Sequence, residues 1–239
     1  MGISNSYFDF KQFRISQADC AMKVTTDACI LGAWTPLSPE IKRVLDIGSG
    51  TGLLALMIAQ KNKDVIIDAI EIDKDAAQQA RANVAASPWA DRINVLECDI
   101  NEYHTGHKYD LIICNPPFFN NSLLSHKQAK NMARHTISLS YENLFDAIKN
   151  NLAENGTASI LLPLPESTIW EDLVAKKGWH VINTLSVKHR DNAAIKRKVT
   201  MINNNNTEIR HSQTLVIQKS DGSYTDVFAK LLAPYYLNL

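Results

Sequence analysis

The chain has 239 residues, 45% hydrophobic and 21% charged, which suits one large α/β domain or two small ones with an ordinary core. Its 25 Lys and Arg balance 25 Asp and Glu, so no overall basic excess speaks for nucleic acid, and local clusters must carry any such contact. No apolar run reaches the length of a membrane span, and MGISNSYFDFKQF at the start has no signal-peptide core. Cys20, Cys29, Cys98 and Cys114 form neither a Cys-x-x-Cys pair nor a metal-spaced set with histidine. A cytoplasmic protein with reduced thiols, no membrane contact and no metal is expected.

In chain order, TTDACILGAWTPL (25–37) predicts a helix capped by Thr25 or Thr26 and stopped by Pro36. RVLDI (43–47) predicts a short strand, and LLALMIAQK (53–61), apolar nearly all round, a buried helix. VIIDAIEI (65–72) reads as the second strand, and DKDAAQQARANVAA (73–86) as a polar helix with Asp at its positive end. INVLEC (93–98) and DLIIC (110–114) are the third and fourth strands. SYENLFDAIKNNLAENG (140–156) predicts a helix closed by Gly156, followed by the strand TASILLP (157–163) and the helix ESTIWEDLVAKKG (166–178). HVINTLSVKH (180–189), RKVTMI (197–202) and SQTLVIQK (212–219) are strands with no helix between them. Strand–helix alternation and then consecutive strands argue a single α/β domain whose mostly parallel sheet has an antiparallel edge.

The chemistry gathers at strand ends. VLDIGSGTG (44–52) joins the first strand to its helix, and Gly48, Gly50 and Gly52 allow a sharp turn and close approach to a ligand. The spacing is not that of a dinucleotide fingerprint, and Asp46 places negative charge where a pyrophosphate would be repelled, so a cationic ligand fits better. Glu71 ends the second strand, the place of an acid that accepts from ribose hydroxyls. Asp99 follows the third strand, within reach of an adenine amino group in the same crevice, and Asn115 follows the fourth. Singly, each has an ordinary reading as a turn glycine, a helix cap or a turn acid. Four polar residues at four successive strand ends point instead to an adenosine-bearing cofactor.

VLDIGSGTG, AIEID, ECD and NPPF, in this order and spacing, resemble the class I methyltransferases that use S-adenosyl-L-methionine. The resemblance implies a Rossmann-like fold with a seven-stranded sheet and helices on both faces. It places Asp46 and Gly48, with Gly50 and Gly52, near the methionine part of the donor, Glu71 on the ribose and Asp99 on the adenine amine. It also makes 1–38 a segment that closes over the donor's methionine, with Thr26 as a contact, 39–165 the cofactor-binding core, and 166–239 the edge strands and a last helix.

In CNPPFF (114–119), the two prolines stiffen the backbone after the strand and fix where the Asn115 side-chain oxygen and the Pro116 carbonyl point. Two acceptors aimed at one spot suit a planar NH2 group, and Phe118, beyond Pro117, offers a face for a planar base, a contact worth roughly 1–3 kcal/mol. Asn115–Phe118 is thus the candidate catalytic stretch, with Asn115 also bordering the donor. Adenine, cytosine and a glutamine side-chain amide all present such an NH2. The flanks FKQFRISQADCAMKVTTDACILGAW (10–34), ARHTISLSYENLFDAI (133–148) and YTDVFAKLLAPYYL (224–237) resemble the bacterial tRNA N6-adenine methyltransferases acting at adenosine 37 of a valine tRNA. That resemblance implies tRNA, at its anticodon loop, as partner. Two basic stretches, HKQAKNMARH (126–135) and KHRDNAAIKRK (188–198), fit phosphate contact, with Lys127, Lys130, Arg134, His135, Lys196 and Arg197 as candidate substrate contacts. A protein-glutamine methyltransferase like those acting on release factors, or a non-catalytic RNA-binding relative, are the alternatives. No long heptad suggests an obligate dimer, and a monomer is expected.

Overall fold

The computed structural model describes residues 6–18, 23–116, 139–205 and 211–239. Ten strands and six helices follow in order among them: β1 (Tyr7–Asp9), β2 (Arg14–Ser16), α1 (Thr26–Trp34), β3 (Arg43–Ile47), α2 (Leu53–Lys61), β4 (Ile66–Glu71), α3 (Lys74–Ala85), β5 (Ile93–Glu97), β6 (Tyr109–Cys114), α4 (Tyr141–Asn151), β7 (Leu152–Pro163), α5 (Leu164–Lys176), β8 (His180–Arg190), β9 (Ile195–Asn203), β10 (His211–Gln218) and α6 (Asp226–Leu232). No described helix is long and apolar enough to cross a membrane.

The main sheet has eight strands in the order β10-β8-β9-β7-β6-β3-β4-β5, one more than the seven expected. β5, β4, β3, β6 and β7 are mutually parallel, β9 runs against both β7 and β8, and β10 is parallel to β8. The antiparallel element is therefore an interior strand, not the edge. The edge is taken by β10, which adds beyond β8 and which consecutive strand patterns alone cannot place. Apolar residues alternate between two cores. One joins α1, α2, α6 and Val84 of α3 to one face of the sheet, and the other packs α4 and α5 on the opposite face around Phe145 and Trp170. Central strands buried on both faces are what two helical layers require.

Local chemistry explains where the elements stop. Thr25, not Thr26, caps α1, its hydroxyl accepting from Ala28 N at 3.2 Å. Lys61, at the end of α2, donates to the carbonyls of Ala33 (2.9 Å) and Thr35, which answers the orphan acceptors at the end of α1 and ties the two helices. α4 ends at Asn151, whose side chain donates to Ala147 O at 2.9 Å, and not at Gly156. Gly156 lies inside β7, where an added Cβ would come within 2.8 Å of Leu152 Cγ and 3.0 Å of Tyr109 O, so the close approach of β6 and β7 requires glycine there. The β1–β2 hairpin has no strong strand signal in sequence. It is fixed by the Asp9–Arg14 pair and by the stacked rings of Phe10 and Phe13, 4.4 Å apart.

Candidate active site

The parallel pairings align the carboxyl ends of β6, β3, β4 and β5 side by side. Ile47 of β3 faces Ile70 of β4 and Cys114 of β6, and Glu71 of β4 faces Glu97 of β5. Asn115, Asp46 with Gly48, Glu71 and Asp99 consequently stand in spatial order along one rim. At about 4.8 Å between strands the row is roughly 14 Å long. Non-consecutive strands meet at its centre, because β3 lies between β4 and β6, and this reversal opens the crevice in which α/β folds bind ligands. A second depression, lined by Pro36, Asp110, Asn155 and Gly156, lies at the other end of the strands.

The loop after β3 is bound to β4 through its backbone. The amides of Gly48 and Ser49 both donate to Ile70 O, at 2.9 and 3.0 Å, and Gly50 N donates to Glu71 Oε2 at 2.8 Å. Gly48 and Gly50 have φ of 70° and 54°, and an added Cβ at either would meet nothing within 4 Å. Backbone conformation demands glycine at both, and the space in front of them is open. Gly52 caps α2 and closes the turn by donating to Ser49 O.

The acids differ in their surroundings. Asp46 is fully buried; its Oδ2 accepts from Ala55 N at 3.1 Å, and its Oδ1 has no hydrogen-bond partner. Burial pushes its carboxyl up to about 7, Glu71 adding to the rise and the Ala55 amide opposing it. A buried acid with one unanswered oxygen beside an open glycine turn favours a cationic ligand, whose charge stabilises the ionised form. Glu71 Oε2 takes Gly50 N and Oε1 takes Asp73 N at 2.9 Å, leaving each oxygen a lone pair for a hydroxyl. Asp99 Oδ1 accepts from Asn101 N and Nδ2, and the Asp99 segment is joined to β4 by Cys98 N donating to Glu71 O at 3.1 Å. These residues fit a ligand with an ammonium, a ribose diol and an adenine amine.

Two residues that sequence reading passed over belong to this frame. Ile72, directly after Glu71, is 39% exposed, an apolar face at the same strand end. Asn83 of α3, 3% exposed, donates to Thr51 O and Ser16 O and accepts from Ser16 N, all at 2.9 Å, joining the glycine loop to the β1–β2 hairpin. An Asn inside an Ala-rich helix was the only available signal, and without the hairpin it had no visible partner.

Asn115 is half-buried and Pro116 buried, immediately past β6. Pro117, Phe118, Lys127, Lys130, Arg134 and His135 lie outside the described residues. Thr26 is exposed at the first turn of α1. β9 pairs Arg197 with Pro163, the last residue of β7, so the 190–195 turn rises from the same rim as the acids. Lys196 is exposed there, whereas Arg197 Nε lies 3.2 Å from Asp27 Oδ2 of α1, and Lys198 pairs with Glu171. The basic run is thus partly neutralised by the fold. Among the described residues no group of three or more His, Cys, Asp or Glu is placed to hold a metal ion.

The methyltransferase small domain family matches residues 34–159. A relative from Dyadobacter fermentans, tRNA1(Val) (adenine(37)-N6)-methyltransferase, is 42% identical over 238 residues, 98% of each chain. The chain belongs to this methyltransferase family. Solved methyltransferases share its fold. A protein described as a predicted O-methyltransferase from Agrobacterium tumefaciens superposes with a TM-score of 0.68 at 16% identity, over 89% of this chain and 100% of that one. A methyltransferase from Thiobacillus denitrificans, S-adenosylmethionine-dependent and solved with S-adenosyl-L-homocysteine, gives 0.51 at 18% identity, over 67% of this chain and 66% of that one. The matched segment runs from the end of α1 into β7 and so contains the glycine loop, Glu71, Asp99 and Asn115.

Proposed function

We propose that the protein methylates N6 of adenosine 37 in the anticodon loop of a valine tRNA, with S-adenosyl-L-methionine as donor. The single observation that carries this reading is the row of Asn115, Asp46, Glu71 and Asp99 along one sheet rim. The full-length relative, named for that reaction, supplies the substrate. Asp46 and the open turn at Gly48 and Gly50 receive the methionine end of the donor. Glu71 accepts from the ribose hydroxyls, Asp99 accepts from the adenine amine, and Ile72 offers an apolar face to the ring. Thr26 and α1 border the methionine end.

The donor supplies a methyl group activated by its positive sulfur. The chain's task is to present the nucleophile. The Asn115 side-chain oxygen and the Pro116 carbonyl accept the two hydrogens of the target amine, which holds the nitrogen in place and turns its lone pair outward. Positioning of this kind replaces a strong base, and fixed dipoles stabilise the positive charge that develops on nitrogen. The nitrogen that has gained a methyl becomes acidic and loses its proton to water. Phe118 stacks on the base. An anticodon-loop base is single-stranded, so presenting it costs less unstacking than a duplex base. Lys196 and Arg197, with Lys127, Lys130, Arg134 and His135, meet the RNA. The protein acts as a cytoplasmic monomer with the single-domain organisation described for its sequence; light scattering of the purified chain checks its mass.

The test is incubation with isotopically labelled donor and unmodified tRNA, followed by nuclease digestion and mass spectrometry. Label is expected as N6-methyladenosine in the fragment carrying position 37. Asn115→Ala abolishes it while donor affinity stays within a few-fold. Label recovered on a protein glutamine, with none in RNA, overturns the reading.

A further inference from the structure

The crossover from β5 to β6 differs from its neighbours. Residues 98–108 span from one end of the sheet to the other with neither helix nor strand. No helix holds this segment down; Ile100 is buried in the core with Cys98 and Tyr103 packed against it, and the start of the segment carries Asp99. Beside this apolar contact the segment is tied to a polar hub on β4. Asp68, 7% exposed, sits between the fully buried Ile67 and Ala69 and faces Leu45 and Asn94 on the adjoining strands. A carboxylate in such a place is costly unless its oxygens are answered. They are: the Tyr109 hydroxyl donates to Asp68 Oδ2 at 2.6 Å, Asn94 Nδ2 donates to Oδ1 at 2.9 Å, and His107 Nε2 lies 3.5 Å from Oδ2. Tyr103 extends the chain outward, its hydroxyl 2.7 Å from that of Tyr109.

The hub ends on the Asp99 turn. Glu102 N donates to Asp99 O at 3.0 Å and Tyr103 N to Ile100 O at 3.3 Å, so Asp99 to Tyr103 form one tight turn. That turn is fastened to β4 twice, at one end by Cys98 N on Glu71 O and at the other by Tyr103 through Tyr109 to Asp68. Asp68 itself lies three residues before Glu71, about 10 Å down the strand, out of reach of a ligand at the rim. We propose that Asp68, Tyr109 and Tyr103 form a positioning device for the adenine end of the donor site, setting the reach of Asp99 without touching the donor. This rests on the reading of Asp99 given above. An apolar pair at Asp68 and Tyr109 would fill the same space, but it would leave the turn with only its Cys98 bond to β4 as a directional anchor.

Tyr103→Phe removes the outer hydroxyl and keeps the ring; Asp68→Asn keeps the shape of the hub. Affinity for S-adenosyl-L-homocysteine, measured by calorimetry, is expected to fall about three- to tenfold in each, the range of one lost hydrogen bond. The KM for the donor rises in parallel, while kcat at saturating donor and the KM for tRNA stay within twofold. Because the residues act in one chain, the double variant loses no more than the worse single one. Affinity within twofold of wild type in Tyr103→Phe overturns the proposal, as does a loss in which kcat and the KM for tRNA move equally, the mark of general destabilisation. Asp99→Ala, which leaves no side-chain acceptor, is the control. If it binds S-adenosyl-L-homocysteine as tightly as wild type, the adenine reading fails and takes the proposal with it. If it binds weakly while Tyr103→Phe does not, only the positioning device is refuted.

Discussion

Replacing Asp46 by Asn tests the electrostatics of the donor site. In the ligand-free protein burial raises this carboxyl from 3.8 to about 7. A tenfold change in proton affinity corresponds to about 1.4 kcal/mol, so ionising Asp46 in the folded chain costs on the order of 4 kcal/mol more than in the unfolded one. The sign follows from proton counts. Between 3.8 and about 7 the folded state holds a proton that the unfolded state has lost, so this residue's contribution to stability falls as pH rises through that window. A cation bound beside Asp46 favours the ionised form and expels that proton. Donor affinity should therefore rise up to about tenfold per pH unit below 7 and level off above it. Calorimetric titration with S-adenosyl-L-methionine from pH 5.5 to 8, repeated in two buffers of different ionisation enthalpy, reads both the slope and the released proton. Asp46→Asn should bind more weakly at pH 8 and lose the extra slope. The difference between the two proteins isolates Asp46 from the ionisation of the donor's own ammonium. Parallel pH profiles of the two proteins, or equal affinity at pH 8, would refute the assignment of Asp46 to the cationic end.

Asn83→Leu should lower both thermal stability and donor affinity, because Thr51 O and the Ser16 amide and carbonyl each lose their partner; about 2–4 kcal/mol in urea denaturation is expected, two to three buried hydrogen bonds' worth. Gly156→Ala forces a methyl within 3.0 Å of Leu152 and Tyr109 O and should cost about 1–3 kcal/mol in the same assay with the donor Kd unchanged, since the clash lies far from the rim. Lys196→Ala should weaken tRNA binding at low salt, reduce the salt dependence of that binding by about one counterion, and leave the donor Kd unaltered; filter binding over a salt series checks it.

The strand–helix alternation was legible because its signals are local. β3, β4 and β6 are near-continuous apolar runs, and α2 is apolar nearly all round. Boundaries failed where tertiary contact decided them. Gly156 reads as a helix end, since glycine commonly terminates helices. It is instead the point inside β7 where the chain passes against its own Leu152 and against the Tyr109 carbonyl of β6, the latter an encounter with a segment far away in sequence. The interior position of β9 and the outer position of β10 depend on pairing partners, which no single strand encodes. The β1–β2 hairpin is only three residues per strand and is held by Asn83, 67 residues away from Ser16.

The site divides along the same line. Asp46, Glu71, Asp99 and Asn115 could be read because each lies at or just past the end of a recognisable strand, and parallel pairing converts position in sequence into adjacency on one rim. Asp68 could not. It stands in mid-strand between apolar neighbours, where sequence offers only an anomaly, a charge in a buried run. Its meaning comes from Tyr109, which is in the next strand but one of the sheet, and from Tyr103, in a crossover that carries no periodic pattern at all. Arg197 shows what sequence leaves out on the basic hairpin. A Lys-Arg-Lys run reads as free cationic surface, but β9 delivers Arg197 to Asp27 and Lys198 to Glu171. Asp27 is itself raised by burial, with Arg197 pulling it back toward ionisation, so the pair lies in a partly desolvated place where removing either charge exposes the other. Lys196 stays exposed on this hairpin and is the first candidate there for the proposed RNA contact, and the Arg197–Asp27 contact joins the hairpin to α1, which borders the proposed donor site.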